Sequence, residues 1–128
     1  MTIRDKCILQ SLFLLSHVAF FLDWFGFGSE AMFSGFHFMV GNIAYLIGVI
    51  LFETILWLDL CNVKWSASGY PFILFAAFYE MMTWHYMCVT GEISLKLSLQ
   101  VTHFGFWLSI ISLLVAWAVH VWYVKRRI

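Results

Sequence analysis

The sequence predicts an all-α membrane protein, a single domain over residues 1–128 in which four transmembrane helices form a bundle with both termini cytoplasmic. Three observations predict it. Of the 128 residues 63% are hydrophobic and only 11% charged, whereas an average soluble domain is roughly 25% charged. Mean hydropathy is +0.91, and seven basic plus seven acidic side chains are too few to clothe a soluble chain of this size. The third observation is length. Four apolar stretches, at about 7–25, 38–58, 70–89 and 97–124, approach or exceed the roughly 20 residues that a helix needs to cross a hydrocarbon core of about 30 Å.

The breaks between stretches carry turn chemistry. Gly26, Gly28, Ser34 and Gly35 interrupt the chain after the first stretch, the run from Asp59 to Pro71 after the second, and Gly91-Glu92 after the third. Pro71 fits the first turn of the third helix, where its missing N–H costs nothing. Basic residues set the orientation, because positive segments near helix ends stay on the cytoplasmic side. With both termini inside, the inner segments hold Arg4, Lys6, Lys64, Lys125, Arg126 and Arg127, and the outer loops hold only Lys96. Trp24, Trp65, Trp122 and Tyr123 then fall near the interfaces, where amphipathic rings settle. Arg4 and Lys6 ahead of an apolar run also have the order of a signal peptide, but Asp23-Trp24 suits a cleavage region poorly. The expected location is an inner or plasma membrane.

A net charge of zero leaves no basic patch for nucleic acid. Cys7, Cys61 and Cys88 are widely spaced and odd in number, which fits neither a disulfide framework nor a zinc motif.

Inner faces of membrane bundles are marked by small and polar residues, because lipid gives apolar side chains no reason to associate. The first stretch has Ser16, Ala19 and Asp23 at helical spacing. The second has Gly41, Ala44 and Gly48, with Asn42, Val49 and Glu53 beside them. The third has Ala76, Ala77, Glu80 and Thr83, and the fourth Gly105, Ser109, Ser112 and Ala116. Intramembrane acids cost at least about 2.5–3.5 kcal/mol each and are functional candidates by default. Glu80, mid-span and flanked by small residues, is the foremost of them, followed by Asp23 near the outer interface and Glu53 nearer the inner one.

At about 1.5 Å per residue, His17 and Glu80 form one layer at mid-membrane, while Asp23, His85 and His103 form a second in the outer half. Such layers suit proton relay, because histidine titrates near neutrality. Ligand- or proton-binding candidates are therefore Glu80, Asp23, His17, His85, Glu53 and Asn42. His103 is expected to share a lipid-directed face with Trp107, Ile110 and Trp117. Met81, His85 and Cys88 lie on one helical face and combine sulfur with imidazole, which suits cuprous copper. A haem b would need two axial histidines at matched depth, and His85 with His103 is the pair that offers it. No nucleophile elbow, phosphate loop or H-E-x-x-H occurs. In size and span count the chain is similar to small multidrug transporters, but it carries none of their motifs.

The function expected from this pattern is binding of a proton, a cation or a small cationic or lipidic ligand in an acid-bearing interior. Four helices enclose little volume, so the chain is expected to work as a homo-oligomer or as a subunit of a larger membrane transport complex. Two alternatives are a non-catalytic structural or regulatory accessory subunit, and a membrane enzyme. The enzyme would be a haem or quinone oxidoreductase or a lipid-modifying enzyme, with Glu80 and His17 or His85 as acid and base.

Overall fold

The computed structural model describes residues 2–27, 30–58, 67–85 and 95–127. The chain forms helix α1 (Ile3–Ser16), a 3-10 turn (Val18–Phe21), a hairpin of β1 (Asp23–Phe27) and β2 (Glu30–Ser34), then α2 (Gly35–Met39), α3 (Ile43–Trp57), α4 (Gly69–His85), α5 (Leu95–Gln100) and α6 (Phe104–Arg127). Helix α3 packs along α4, and α6 packs against α1 and α4.

The first apolar stretch is not one helix. Helix α1 ends at Ser16 because the last turn finds local partners: Ser16 Oγ donates to the Phe13 carbonyl at 2.6 Å, and His17 Nδ1 lies 2.7 Å from the same oxygen. Seven residues later, at Asp23, the chain is a strand. Three aromatic residues, Trp24, Phe25 and Phe27, favour a strand here against the contrary preference of Asp23 and Gly26, and β1 pairs antiparallel with β2, Asp23 opposite Ser34 and Phe25 opposite Phe33.

The fourth stretch is also interrupted, between α5 and α6. There the backbone serves the other edge of β1: Gly26 N–H donates to the Val101 carbonyl at 3.0 Å and His103 N–H to the Trp24 carbonyl at 2.7 Å, with Phe25 bridged to Thr102. A small pleated cap, with β1 at its centre, thus closes one end of the helices. The second stretch breaks at Gly41-Asn42, where Asn42 is the N-cap of α3 and its Oδ1 accepts from Ala44 and Tyr45 N–H. Asn42 therefore precedes α3 instead of lining a continuous helix.

Two close approaches hold the assembly. A Cβ on Gly48 would stand 2.7 Å from the Gly69 carbonyl oxygen and from Ile73 Cγ1, and one on Gly69 would stand 2.6 Å from the Gly48 oxygen. Helices α3 and α4 cross backbone to backbone at this point, with Ala76 and Ala77 buried further along α4. At the capped end Trp24 is fully buried between Gly35 and Gly105. Its ring occupies the space a Gly35 side chain would need, and a Gly105 Cβ would lie 3.2 Å from Trp24 Cδ1. Trp24 Nε1 donates to the Ala19 carbonyl at 2.9 Å, which satisfies its polar end as burial requires.

An aromatic core runs between these points. Phe13 stacks on Phe52 with ring centroids 3.9 Å apart, and Phe106 meets Trp24 edge-on at 5.5 Å. The outside is apolar too: Phe21, Ile43, Ile50, Phe75, Phe104, Ile111 and Val115 are all more than half exposed. Among the described residues one helix, Phe104–Arg126, is long and apolar enough to cross a membrane, and Ile43–Trp57 is a shorter apolar helix.

Candidate functional site

The hydrogen bond that brings two of the expected site residues together runs between α3 and α4. Asn42 sits at the cap of α3 because its side-chain oxygen takes up the orphan N–H groups of the first turn. That use of Oδ1 turns Nδ2 outward, and it donates to Glu80 Oε1 at 2.8 Å. Glu80 lies near the end of α4, half-buried, with Asn42 buried beside it. Among the described residues Glu80 Oε2 accepts no hydrogen bond.

The pair faces an open depression of about 310 Å³, lined by Gly41, Asn42, Ile43 and Ala44 at the start of α3 and by Phe75, Tyr79 and Glu80 on α4. The Phe75 and Tyr79 rings are inclined at 29°, their centroids 6.3 Å apart. The depression therefore offers a carboxyl oxygen, an amide and two aromatic faces. That set suits a cation: the carboxylate supplies charge, and ring quadrupoles attract organic ammonium groups in particular.

His17 is close to this site but not in it. Its ring packs against Phe13, Phe20 and Tyr45 at 4.5, 4.7 and 5.8 Å, and its Nδ1 lies 3.2 Å from Ser16 Oγ. Its Nε2 is buried without a hydrogen-bond partner among the described residues. The mid-membrane layer expected from depth thus splits into two environments on either side of the first turn of α3, Tyr45 bordering His17 and Asn42 holding Glu80. Among the described residues no hydrogen bond joins His17 to Glu80, and the other base of the enzyme alternative, the His85 side chain, lies outside them.

Glu53 belongs to a separate polar chain. Gln10 Nε2 donates to Glu53 Oε1 at 2.8 Å, and Trp57 Nε1 donates to Gln10 Oε1 at 3.1 Å. Lys6 Nζ stands 5.9 Å from the Trp57 ring centroid. These contacts tie α1 to α3. Gln10 has no place in the expected stripes, because its partner lies 43 residues away and no spacing within α1 reveals it.

Asp23 is exposed on β1. His103 does not face outward with Trp107 as expected: it lies beside β1, where its Nε2 is 3.2 Å from the Gly26 carbonyl. The strand-like segment before α6 turns it there, which helical periodicity through residue 103 does not foresee. Ile110, expected on the same outward face, is buried. A haem that used His103 Nε2 would have to displace the Gly26 contact.

Met81 is packed in the core. The His85 side chain and Cys88, the other two residues of the copper set, lie outside the described residues, as do Asp59, Lys64 and Trp65. Among the described residues no three His, Cys, Asp or Glu come together as a metal site.

His120 stands outside the expected site residues. It is fully buried, with Tyr70 and Phe52 edge-on at 5.6 and 5.9 Å, and neither ring nitrogen has a hydrogen-bond partner among the described residues. The signal for its burial was available. His120 follows Ala116 by four on the Ser109–Ser112–Ala116 face, so the same 3.6-residue period points it inward. Compared with protein-family models, curated proteins and solved structures, the chain matches none.

Proposed function

We propose that the chain is an integral protein of an inner or plasma membrane, with both termini cytoplasmic, that binds a small cation at the Asn42–Glu80 depression. It works as a homo-oligomer or as a subunit of a transport complex. The observation that carries this reading is the Asn42–Glu80 hydrogen bond at the edge of an open, aromatic-flanked depression. An acid placed there has one oxygen oriented by an amide, and its other oxygen has no hydrogen-bond partner among the described residues. An organic ammonium would meet both the charge and the ring faces; a proton on Oε2 would serve the same position in its absence. Membrane residence is supported by the largely apolar exterior, since soluble monomers rarely expose contiguous apolar surface beyond a few hundred Å², and by the basic bias of the termini.

The test is binding of tetraethylammonium to protein reconstituted in nanodiscs, followed calorimetrically. Wild-type protein should bind it, and Glu80→Gln should not, while retaining the same unfolding midpoint. Unchanged binding in Glu80→Gln removes the reading.

The double use of Asn42, as cap and as partner of Glu80, favours a second reading. In that reading the pair is a structural clamp in a non-catalytic accessory subunit, neither wild type nor variant binds the probe, and loss of Asn42 shows only as lost stability.

A further inference from the structure

Along α6, and sharing no residue with the Glu80 depression, a shallow groove of about 430 Å³ is lined by Leu114, Trp117, Ala118, Val121, Trp122 and Lys125. It is apolar along its length and basic at one end only. Arg126 joins Lys125 at that end, its guanidinium 5.1 Å from the Trp122 ring centroid, which keeps a second positive charge beside the groove mouth.

The groove has the length of one leaflet. From Leu114 to Lys125 α6 rises about 16 Å at 1.5 Å per residue, and half of a hydrocarbon core of about 30 Å is about 15 Å. With Lys125 at the headgroup level, Leu114 reaches the bilayer centre. Trp122 falls at the boundary, where indole rings concentrate. An occupant matching this surface is long, apolar and terminated by a negative charge.

We propose that the α6 groove seats one anionic phospholipid, its acyl chain along Leu114, Ala118 and Val121 and its phosphate against Lys125 and Arg126. The proposal rests on membrane residence and is independent of the Glu80 site. Basic side chains at an anionic headgroup supply the selectivity, and the apolar channel supplies the register that separates a seated lipid from the diffuse lipid shell.

Nanodiscs with equal parts of dioleoyl phosphatidylglycerol and dioleoyl phosphatidylcholine provide the test, with the lipid retained on the released protein read by native mass spectrometry. Wild-type protein should retain a single phosphatidylglycerol at about tenfold or greater excess over phosphatidylcholine. The excess should vanish in the Lys125→Gln/Arg126→Gln double variant and in Ala118→Phe, which fills the groove from an exposed position. It should persist in Lys96→Gln and in Glu80→Gln, so that failure of the cation site leaves this result standing. Excess glycerol 3-phosphate should not displace the lipid; displacement would mean that the site reads phosphate alone, and would overturn the seat. Equal retention of the two lipids, retention of neither, or an excess that survives both groove variants would also overturn it. So would an Ala118→Cys protein that cross-links to a second copy in the bilayer, because the groove would then be an interface between chains.

Discussion

Asn42 Nδ2 donates to Glu80 Oε1 at 2.8 Å while Asn42 Oδ1 accepts the N–H groups of Ala44 and Tyr45, so one side chain both starts α3 and ties it to α4. The two tasks are separable by substitution. Asn42→Asp keeps an excellent cap but sets an acceptor against an acceptor at Glu80. It should lower stability by about 1–3 kcal/mol, the cost of an unsatisfied polar contact. Adding Glu80→Gln supplies an amide donor from the other side and should recover most of that loss. The measurement is reversible unfolding in mixed micelles for both single variants and the double. Additive losses with no recovery would mean that the two side chains do not pair.

The α3–α4 crossing gives a second prediction. Gly48→Ala places a methyl 2.7 Å from both the Gly69 carbonyl oxygen and Ile73 Cγ1, and backbone cannot step aside as a flexible side chain can. A cost of about 1–3 kcal/mol is expected from such overpacking, and Gly48→Leu should prevent the helices from docking. Ile50→Ala, on the exposed face two residues on, should change stability far less. Similar losses at positions 48 and 50 would show that the helices do not cross there.

These two positions were not equally legible from the sequence. Gly48, Ala76, Ala77 and Ser109 announced themselves, because small residues at helical spacing mark where backbones approach, and all four are buried. Glu80 was legible as an acid in an apolar segment. Its partner was legible only in part: Asn42 was expected on α3's inner side, but its place as the cap follows from competition between its side chain and the helix backbone, which a hydropathy window does not register. The pleated cap was hidden for a related reason. Segments 22–27 and 101–103 are apolar enough to continue a helix, and what overrides this is pairing between chain segments about 77 residues apart, such as Gly26 with Val101 and His103 with Trp24.

Trp24 is expected to be the residue on which that capped end depends. It fills the space between Gly35 and Gly105, and its indole N–H is held by the Ala19 carbonyl. Trp24→Ala should cost about 3–5 kcal/mol, the usual range for emptying a large aromatic site. Gly35→Ala should also be destabilising, because the ring has no room to retreat. Phe21→Ala, three-quarters exposed, serves as the comparison and should cost well under half as much. Thermal unfolding followed by near-ultraviolet circular dichroism reads the difference, and a Trp24→Ala protein no weaker than Phe21→Ala would contradict the packing.

Orientation in the bilayer is open to direct measurement. Reporters fused after residue 36 and after residue 94 should read as external, and those at residue 66 and at the C-terminus as cytoplasmic, following the basic residues that flank the termini. A cytoplasmic signal after residue 36 would remove the four-span, both-ends-in arrangement and leave α6 as the principal span.

The last prediction concerns His120, which is buried among aromatic rings with neither nitrogen hydrogen-bonded among the described residues. A polar group removed from water and left unpaired costs about 1–3 kcal/mol. Leucine has a similar bulk and no polar atom, so His120→Leu relieves that cost. Against this stand the edge-on contacts of the imidazole with Tyr70 and Phe52, each worth about 0.5–1.5 kcal/mol when geometry is good. The two effects nearly offset, and the expected result is stability within about 1 kcal/mol of wild type, unlike the larger loss expected at nearly any other fully buried core position. Ser109→Ala should behave the same way, since Ser109 Oγ is likewise buried and without a partner among the described residues. Unfolding free energies of both variants in micelles decide the point. A loss of more than about 1 kcal/mol in His120→Leu, with Ser109→Ala neutral, would mean that the ring contacts with Tyr70 and Phe52 outweigh the relief of the unpaired nitrogens.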